Sequence, residues 1–220
     1  VYKQLKQVNN FTSLKNYLTY NKTFNDKHNF TFLLGQEAQE SQWEYLSGYR
    51  TGDFLNKDFT NLNLGDIDSA LNQNGSGRWS MTSYISRLNY SFSDRYSFSA
   101  SLRADASSNF GPNNKWGYFP SFSGGWTVSN EEFFEPLSNT INYFKFRVGY
   151  GEVGNQNIPA NRYQTILTLT PSPFGGSSPT IDNLGNPDIK WEALKSFNAG
   201  LDLDMFNNRV KFTFDYYIKN

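Results

Sequence analysis

The sequence predicts an all-β protein, an antiparallel meander of about eight long strands that forms part of the wall of a transmembrane β-barrel. Three observations carry this: one faultless long alternation, a high content of aromatic rings, and connections that are short and long by turns. The alternation runs from Tyr96 to Ser107. Tyr96, Phe98, Ala100, Leu102, Ala104 and Ala106 point one way, and Ser97, Ser99, Ser101, Arg103, Asp105 and Ser107 the other. Side chains of a strand alternate faces with period two, so this is one strand with an apolar and a polar face. A globular strand averages about 5 to 6 residues and a tilted bilayer crossing needs about 9 to 11, so the length favours a membrane barrel.

Composition alone points elsewhere. A hydrophobic fraction of 37% and a net charge of zero resemble an ordinary soluble protein, and no apolar run approaches the ~18 residues of a membrane helix. A barrel enclosing water needs apolar residues only on its outer face, which reconciles the two. The 5 Trp, 14 Tyr and 20 Phe make up 18% of the chain, and many fall near strand ends, where rings gather at lipid headgroups. Balanced charge gives no footprint for nucleic acid. The absence of cysteine excludes a disulfide scaffold, a thiolate metal site and a Cys nucleophile. The chain opens on Val1 and reaches Asn220 with an alternating strand still running, as expected of a piece of a longer polypeptide.

In order, Thr12 to Lys22 alternates weakly through Leu14, Leu18 and Tyr20, and a turn over Phe24 to Lys27 leads into Asn29 to Glu40, with Phe30, Phe32 and Leu34 on one face. From Ser41 to Gly77 no period holds, and the segment reads as a long loop bearing Trp43, Tyr45, Tyr49 and Phe54. A third strand spans Arg78 to Phe92, with Tyr84, Leu88, Tyr90 and Phe92 opposite Arg87, Asn89 and Ser91; Ser93 to Arg95 turn into the fourth. After a polar loop over Asn109 to Lys115, a fifth strand covers Trp116 to Val128. Pro120 inside it lacks a ladder donor and predicts a bulge or bend. Ser129 and Glu132 have capping-box spacing, which predicts one or two helical turns over Asn130 to Leu137. The sixth strand is Tyr143 to Gly151. A long segment to Leu194 then holds five of the eight prolines and an extended piece at Tyr163 to Leu169. The last hairpin alternates through Phe197 to Met205 and Val210 to Ile218, turning at Asn207 and Asn208.

Connection parity is consistent with this count. The turns at 24–27, 93–95, 129–142 and 207–209 fall on one side, and 41–77, 108–115 and 152–194 on the other. Short periplasmic turns opposite long extracellular loops are the outer-membrane pattern, and Tyr163 to Leu169 must then be a loop excursion.

No residue group reads as a catalytic, cofactor or metal site. Gly149, Gly151 and Gly154 satisfy GxGxxG, but Asn155, Asn157, Pro159 and Asn161 follow and will not start the helix that a dinucleotide site requires. His28 is the sole histidine and reads as a turn residue; Glu131, Glu132 and Glu135 read as a helix N-terminus. Arg87, Arg103, Asp105, Lys145, Arg147, Asp202, Asp204, Lys211 and Asp215 all fall on polar strand faces. In a barrel they would line the lumen as an ion-pair lattice or as contacts to an internal plug. An outward Arg at mid-membrane would cost roughly 2 to 4 kcal/mol. Trp43, Tyr45 and Tyr49 are candidates to stack on a ligand or to pack the loop on itself.

Arg87 to Trp126 resembles the barrel of SusC/RagA-type TonB-dependent outer-membrane transporters. The elements carrying the likeness are Asn89-Tyr90, Asp94-Arg95-Tyr96, Arg103 to Gly111 and Lys115 to Trp126, in that order. Lys145 to Gln156, Asn186 to Glu192, Gly200 to Asp202 and Asn207 to Arg209 match further family elements, whereas Arg95, Ala106 and Asn109 depart from the usual Lys, Gly and Arg. The resemblance implies a barrel of about 22 strands with a plugged lumen. This chain would be a partial barrel domain over 1–220, lacking the plug and N-terminal regions. It further implies a Gram-negative outer membrane with its lipids, import of glycan oligosaccharides or peptides, a SusD-like surface lipoprotein, and energy from TonB, ExbB and ExbD through the plug. No enzyme activity and no cofactor are implied. The main rival reading is a soluble carbohydrate-binding β-sandwich, which expects strands every 8 to 12 residues or so. A barrel enzyme would need a nucleophile paired with His28.

Overall fold

The structure is a computed structural model that describes residues 2–52, 61–171 and 175–220. The described residues form ten strands: β1 (Tyr2–Phe24), β2 (His28–Arg50), β3 (Leu71–Phe92), β4 (Tyr96–Ser107), β5 (Trp116–Thr127), β6 (Ile141–Asn155), β7 (Ile166–Pro171), β8 (Ser177–Asn183), β9 (Glu192–Met205) and β10 (Val210–Lys219). Eight form one sheet in the order β1-β2-β3-β4-β5-β6-β9-β10, and β7 pairs with β8 alone. The main sheet is the expected antiparallel meander; the extended piece expected at 163–169 is strand only from Ile166, as β7, which pairs with β8 outside the main sheet. No described helix is long and apolar enough to cross a membrane, which says nothing about crossing by strands.

Two compact units divide the chain: Val1–Leu14 with Gln39–Ser80, and Lys15–Ala38 with Met81–Asn220. In the second, the Tyr96 to Ser107 alternation pairs unbroken on both sides, from Phe92↔Tyr96 to Met81↔Ser107 and from Tyr96↔Trp126 to Ala106↔Trp116. One face stays open: Phe98, Leu102, Phe122 and Phe146 are 43–49% exposed. A β-sandwich would cover them with a second sheet, and none is there among the described residues. Aromatic stacks bound this belt, Tyr96 on Trp126 at 6.5 Å and Tyr84 on Trp116 at 6.0 Å. At ~3.3 Å per residue, the rise from Tyr96 to Ala106 is about 33 Å, and a tilt of about 40° makes a band about 25 Å tall.

Three hairpin turns close one end of the second unit, each with a left-handed pair at its centre: Asn25-Asp26 (φ 50° and 54°), Ser93-Asp94 (50° and 54°) and Asn207-Asn208 (56° and 61°), the last preceded by a left-handed Phe206 (54°). That is the type I′ geometry whose twist matches a hairpin, and Asn and Asp tolerate it best after Gly. Backbone bonds link neighbouring connections, Ser93 N–H to Lys27 C=O at 2.8 Å, Thr127 N–H to Arg95 C=O at 2.7 Å and Phe206 N–H to Thr140 C=O at 2.9 Å.

Four expectations are corrected. The segment from Ser41 to Gly77 is not all loop, because β2 continues to Arg50 and β3 begins at Leu71, with 3-10 turns at Leu62–Leu64 and Ile67–Ser69. Residues such as Glu40, Gln42 and Glu44 opposite Gln39 and Ser41 give both faces polar side chains, so no alternation marks the strand; Phe54 lies outside the described residues. The helix over 130–137 is two 3-10 turns, Val128–Asn130 and Glu132–Leu137, separated by an extended Glu131. Ser129 caps nothing there, and its hydroxyl is buried without a hydrogen-bond partner among the described residues. Pro120 makes no bulge: the β4 register runs straight through Leu102↔Pro120, and the β6 ladder ends one residue away at Ser121↔Gly151. The proline occupies the place where no donor is required on that side. His28 is the first residue of β2 rather than a turn residue.

Candidate functional site

The polar face of the second unit carries the charged residues. On β4, Arg103 Nε donates to both Asp105 oxygens at 2.9 Å and its Nη2 to Ser83 Oγ at 3.0 Å, with Glu37 of β2 at 3.6 Å. Glu37 also meets Lys15 at 3.7 Å and accepts from the Tyr17 hydroxyl. Asp105 and Glu37 are each 6% exposed; buried carboxylates persist because cations and hydroxyls satisfy them.

A second cluster spans β6, β9 and β10. Arg147 grips Asp202 in a two-point contact at 2.7 and 3.1 Å and reaches Asp215 at 3.0 Å. Gly200 lies opposite both Arg147 and Asp215 in the ladder, and a Cβ there would stand 2.9 Å from Arg147 Nη2. The missing side chain is what lets the guanidinium cross β9. Lys145 pairs in register with Asp202, and Lys211 lies 3.8 Å from Asp204. Eight of the nine residues picked from the sequence thus sit in or beside these clusters. Arg87 has no ion pair among the described residues. It borders a concavity of about 550 Å³ with Arg103, Asp105, Phe119, Glu152 and Trp191.

Sequence reading missed Lys15, Tyr17 and Glu37, although Glu37 stands odd-numbered opposite Phe30, Phe32 and Leu34 and its parity could have found it. It also missed the aromatic packing at the other end of β5. Phe119, 7% exposed, lies against Trp191 at 5.4 Å, Phe110 stacks on Trp191 at 4.7 Å, and the Trp191 indole donates to Lys115 C=O at 3.1 Å. Gly154 leaves room for the Phe119 ring.

Trp43, Tyr45 and Tyr49 lie on β2 in the first unit rather than on a loop. The rings of Trp43 and Tyr45 stack at 6.1 Å and cover Gly77 and Gly75 of β3. The GxGxxG glycines all lie within β6, with no strand-to-helix turn to hold a phosphate. His28 Nδ1 is 2.9 Å from the Tyr90 hydroxyl and its ring packs on Phe92.

Beside the hairpin turns, Glu131 accepts from Arg95 at 3.2 Å, from the Trp126 indole at 3.0 Å and from the Tyr96 hydroxyl. The Tyr96 hydrogen bond, then that of Trp126 and the charge of Arg95, hold its carboxyl below the usual carboxylate range.

Comparison with known proteins gives a consistent result. The family described as "TonB dependent receptor-like, beta-barrel" matches residues 2–220. A TonB-dependent receptor of Formosa agariphila is 35% identical over 222 residues, covering 97% of this chain and 21% of that protein. The TonB-dependent receptor SusC of Bacteroides thetaiotaomicron is 36% identical over 149 residues, covering 64% of this chain and 15% of SusC. The solved structure of the RagAB peptide transporter superposes with a TM-score of 0.90 at 28% identity, over 99% of this chain and 24% of that one. The chain therefore spans less than a quarter of the length of each of these relatives. With a meander that sets an open apolar belt opposite rows of charged residues, and a family match over 2–220, the chain belongs to the TonB-dependent receptor β-barrel family.

Proposed function

We propose that residues 1–220 are a partial barrel domain of an outer-membrane nutrient importer, contributing wall and loops while the plug lies elsewhere in the polypeptide. The observation that carries this reading is the division of one sheet into two faces. The face with Phe98, Leu102 and Phe122 is open and apolar, and the opposite face holds the Arg103 and Arg147 networks. On this reading the apolar face meets outer-membrane lipid and the charged rows line the lumen.

Import of glycan oligosaccharides or peptides, drive from TonB, ExbB and ExbD, and a SusD-like lipoprotein lid are the finer parts of the proposal. RagAB is a peptide transporter and SusC a TonB-dependent receptor; both support the class without choosing the substrate. Trp43, where its ring is exposed, is the ligand contact we assign to the first unit. The test uses the full-length protein in its native host. It should fractionate with the outer membrane, and uptake of labelled oligosaccharide or peptide should cease on deleting the gene or on collapsing the proton gradient. Uptake that survives loss of TonB would overturn the coupled mechanism.

A further inference from the structure

The apolar belt has a gap in it. On the open face Ser86 pairs with Leu102 and Tyr84 with Ala104, so a small side chain lies beside a large one in each of two successive rungs. Leu18 of β1 and Leu34 of β2 close the other side, and together these six residues surround a recess of about 500 Å³. Leu34 and Leu102 are 45% and 44% exposed. A chain filling the recess would pack closely against them, and a void there forfeits those dispersion contacts.

One end of the recess is polar. Asn16 Nδ2 donates to Gln36 Oε1 at 3.2 Å, and both side chains border the recess on the apolar face. That single bond leaves the Gln36 amide N–H groups and the Asn16 carbonyl with capacity to spare. Bare amides against hydrocarbon are costly, so the arrangement suits an occupant that is apolar along most of its length and carries an acceptor at one end. The pair lies toward Tyr84, whose stack on Trp116 marks the edge of the belt, where lipid polar groups begin.

We propose that this recess binds one acyl lipid of the leaflet on the long-loop side. Its chain lies over Ser86 between Leu34 and Leu102, and its ester or amide carbonyl accepts from the Gln36 side chain. The proposal rests on the membrane reading above and adds a defined site to it.

The full-length protein, extracted in mild detergent and incubated with lipid A, whose ester- and amide-linked acyl chains fill the leaflet on the long-loop side, is examined by native mass spectrometry. One lipid should stay bound under washing that strips the remainder. Ser86→Leu and Ala104→Leu, which fill the recess, should lower retention at least tenfold, and Gln36→Leu should lower it without filling the space. Ala100→Leu, elsewhere on the belt, should leave it unchanged, and heat-modifiable migration on gels shows that each variant still forms a barrel. Equal retention by wild type and Ser86→Leu, equal loss in Ala100→Leu, or no retained lipid at all would overturn the site. Failure of the wild-type barrel to enter membranes would overturn the membrane reading itself, a separate result seen before any lipid is counted.

Discussion

Glu131 is where a single residue sets a local geometry. Its carboxylate ties the end of β5 to the start of β4 through Trp126, Tyr96 and Arg95, and its extended backbone splits the two 3-10 turns. A carboxyl held below its ordinary value stabilises the fold above the unfolded pKa of about 4.3 and loses that contribution as pH falls through the folded value. Melting of wild type and Glu131→Gln in detergent should therefore differ at pH 6 and converge as pH drops below about 4. A gap that persists at pH 2 would remove the ionised carboxylate as its cause. Gly154 makes a second case: any Cβ there meets the Phe119 ring, which Trp191 holds from the other side. Gly154→Val should destabilise by about 1 to 3 kcal/mol, typical of an overfilled site, as read by detergent melting. Leu102→Arg should cost about 2 to 4 kcal/mol in bilayers, since it puts a charge near the middle of the belt.

At the scale of elements, the type I′ turns are suboptimal in their second residue. Asp26 holds φ 54°, a position where Gly is strongly preferred after Asn. Asp26→Gly should stabilise the β1–β2 hairpin by about 0.5 to 1 kcal/mol in the same melting experiment, and a loss would show that the aspartate makes a compensating contact. The elements were legible from sequence only where one face was apolar. The strand from Tyr96 to Ser107 has identical bounds in the structure, and Asn207-Asn208 turn as expected. The second half of β2 and the start of β3 went unseen because polar residues such as Gln39, Glu40, Ser41 and Gln42 on successive positions leave no period to detect. Ser129 and Glu132 carried a local helix signal that lost to tertiary bonds at Glu131. The charged rows were readable from parity at Arg103, Asp105 and Arg147. The crossing of Arg147 to Asp215 was not, since it depends on Gly200 standing in register between them.

For the whole molecule, the sheet order ends in β1 on one side and β10 on the other. Each edge presents a row of backbone groups ready to pair with another strand. Every described residue of β10 is exposed, Phe212, Phe214, Tyr216 and Ile218 on one face among them, and Leu14, Leu18 and Tyr20 of β1 are 59–68% exposed. An open face of contiguous large apolar side chains drives association when no lipid covers it. The 220-residue chain expressed alone should therefore aggregate or oligomerise in plain buffer and become dispersed only in detergent. Size-exclusion chromatography with light scattering in both media reads this directly. Charged substitution at the edge, such as Phe214→Lys with Leu18→Lys, should reduce association in buffer, because it weakens both the open edges and the exposed belt. A sharp monomer peak in plain buffer would mean that the open face is tolerated by water, and the membrane-wall assignment would then have lost its physical basis.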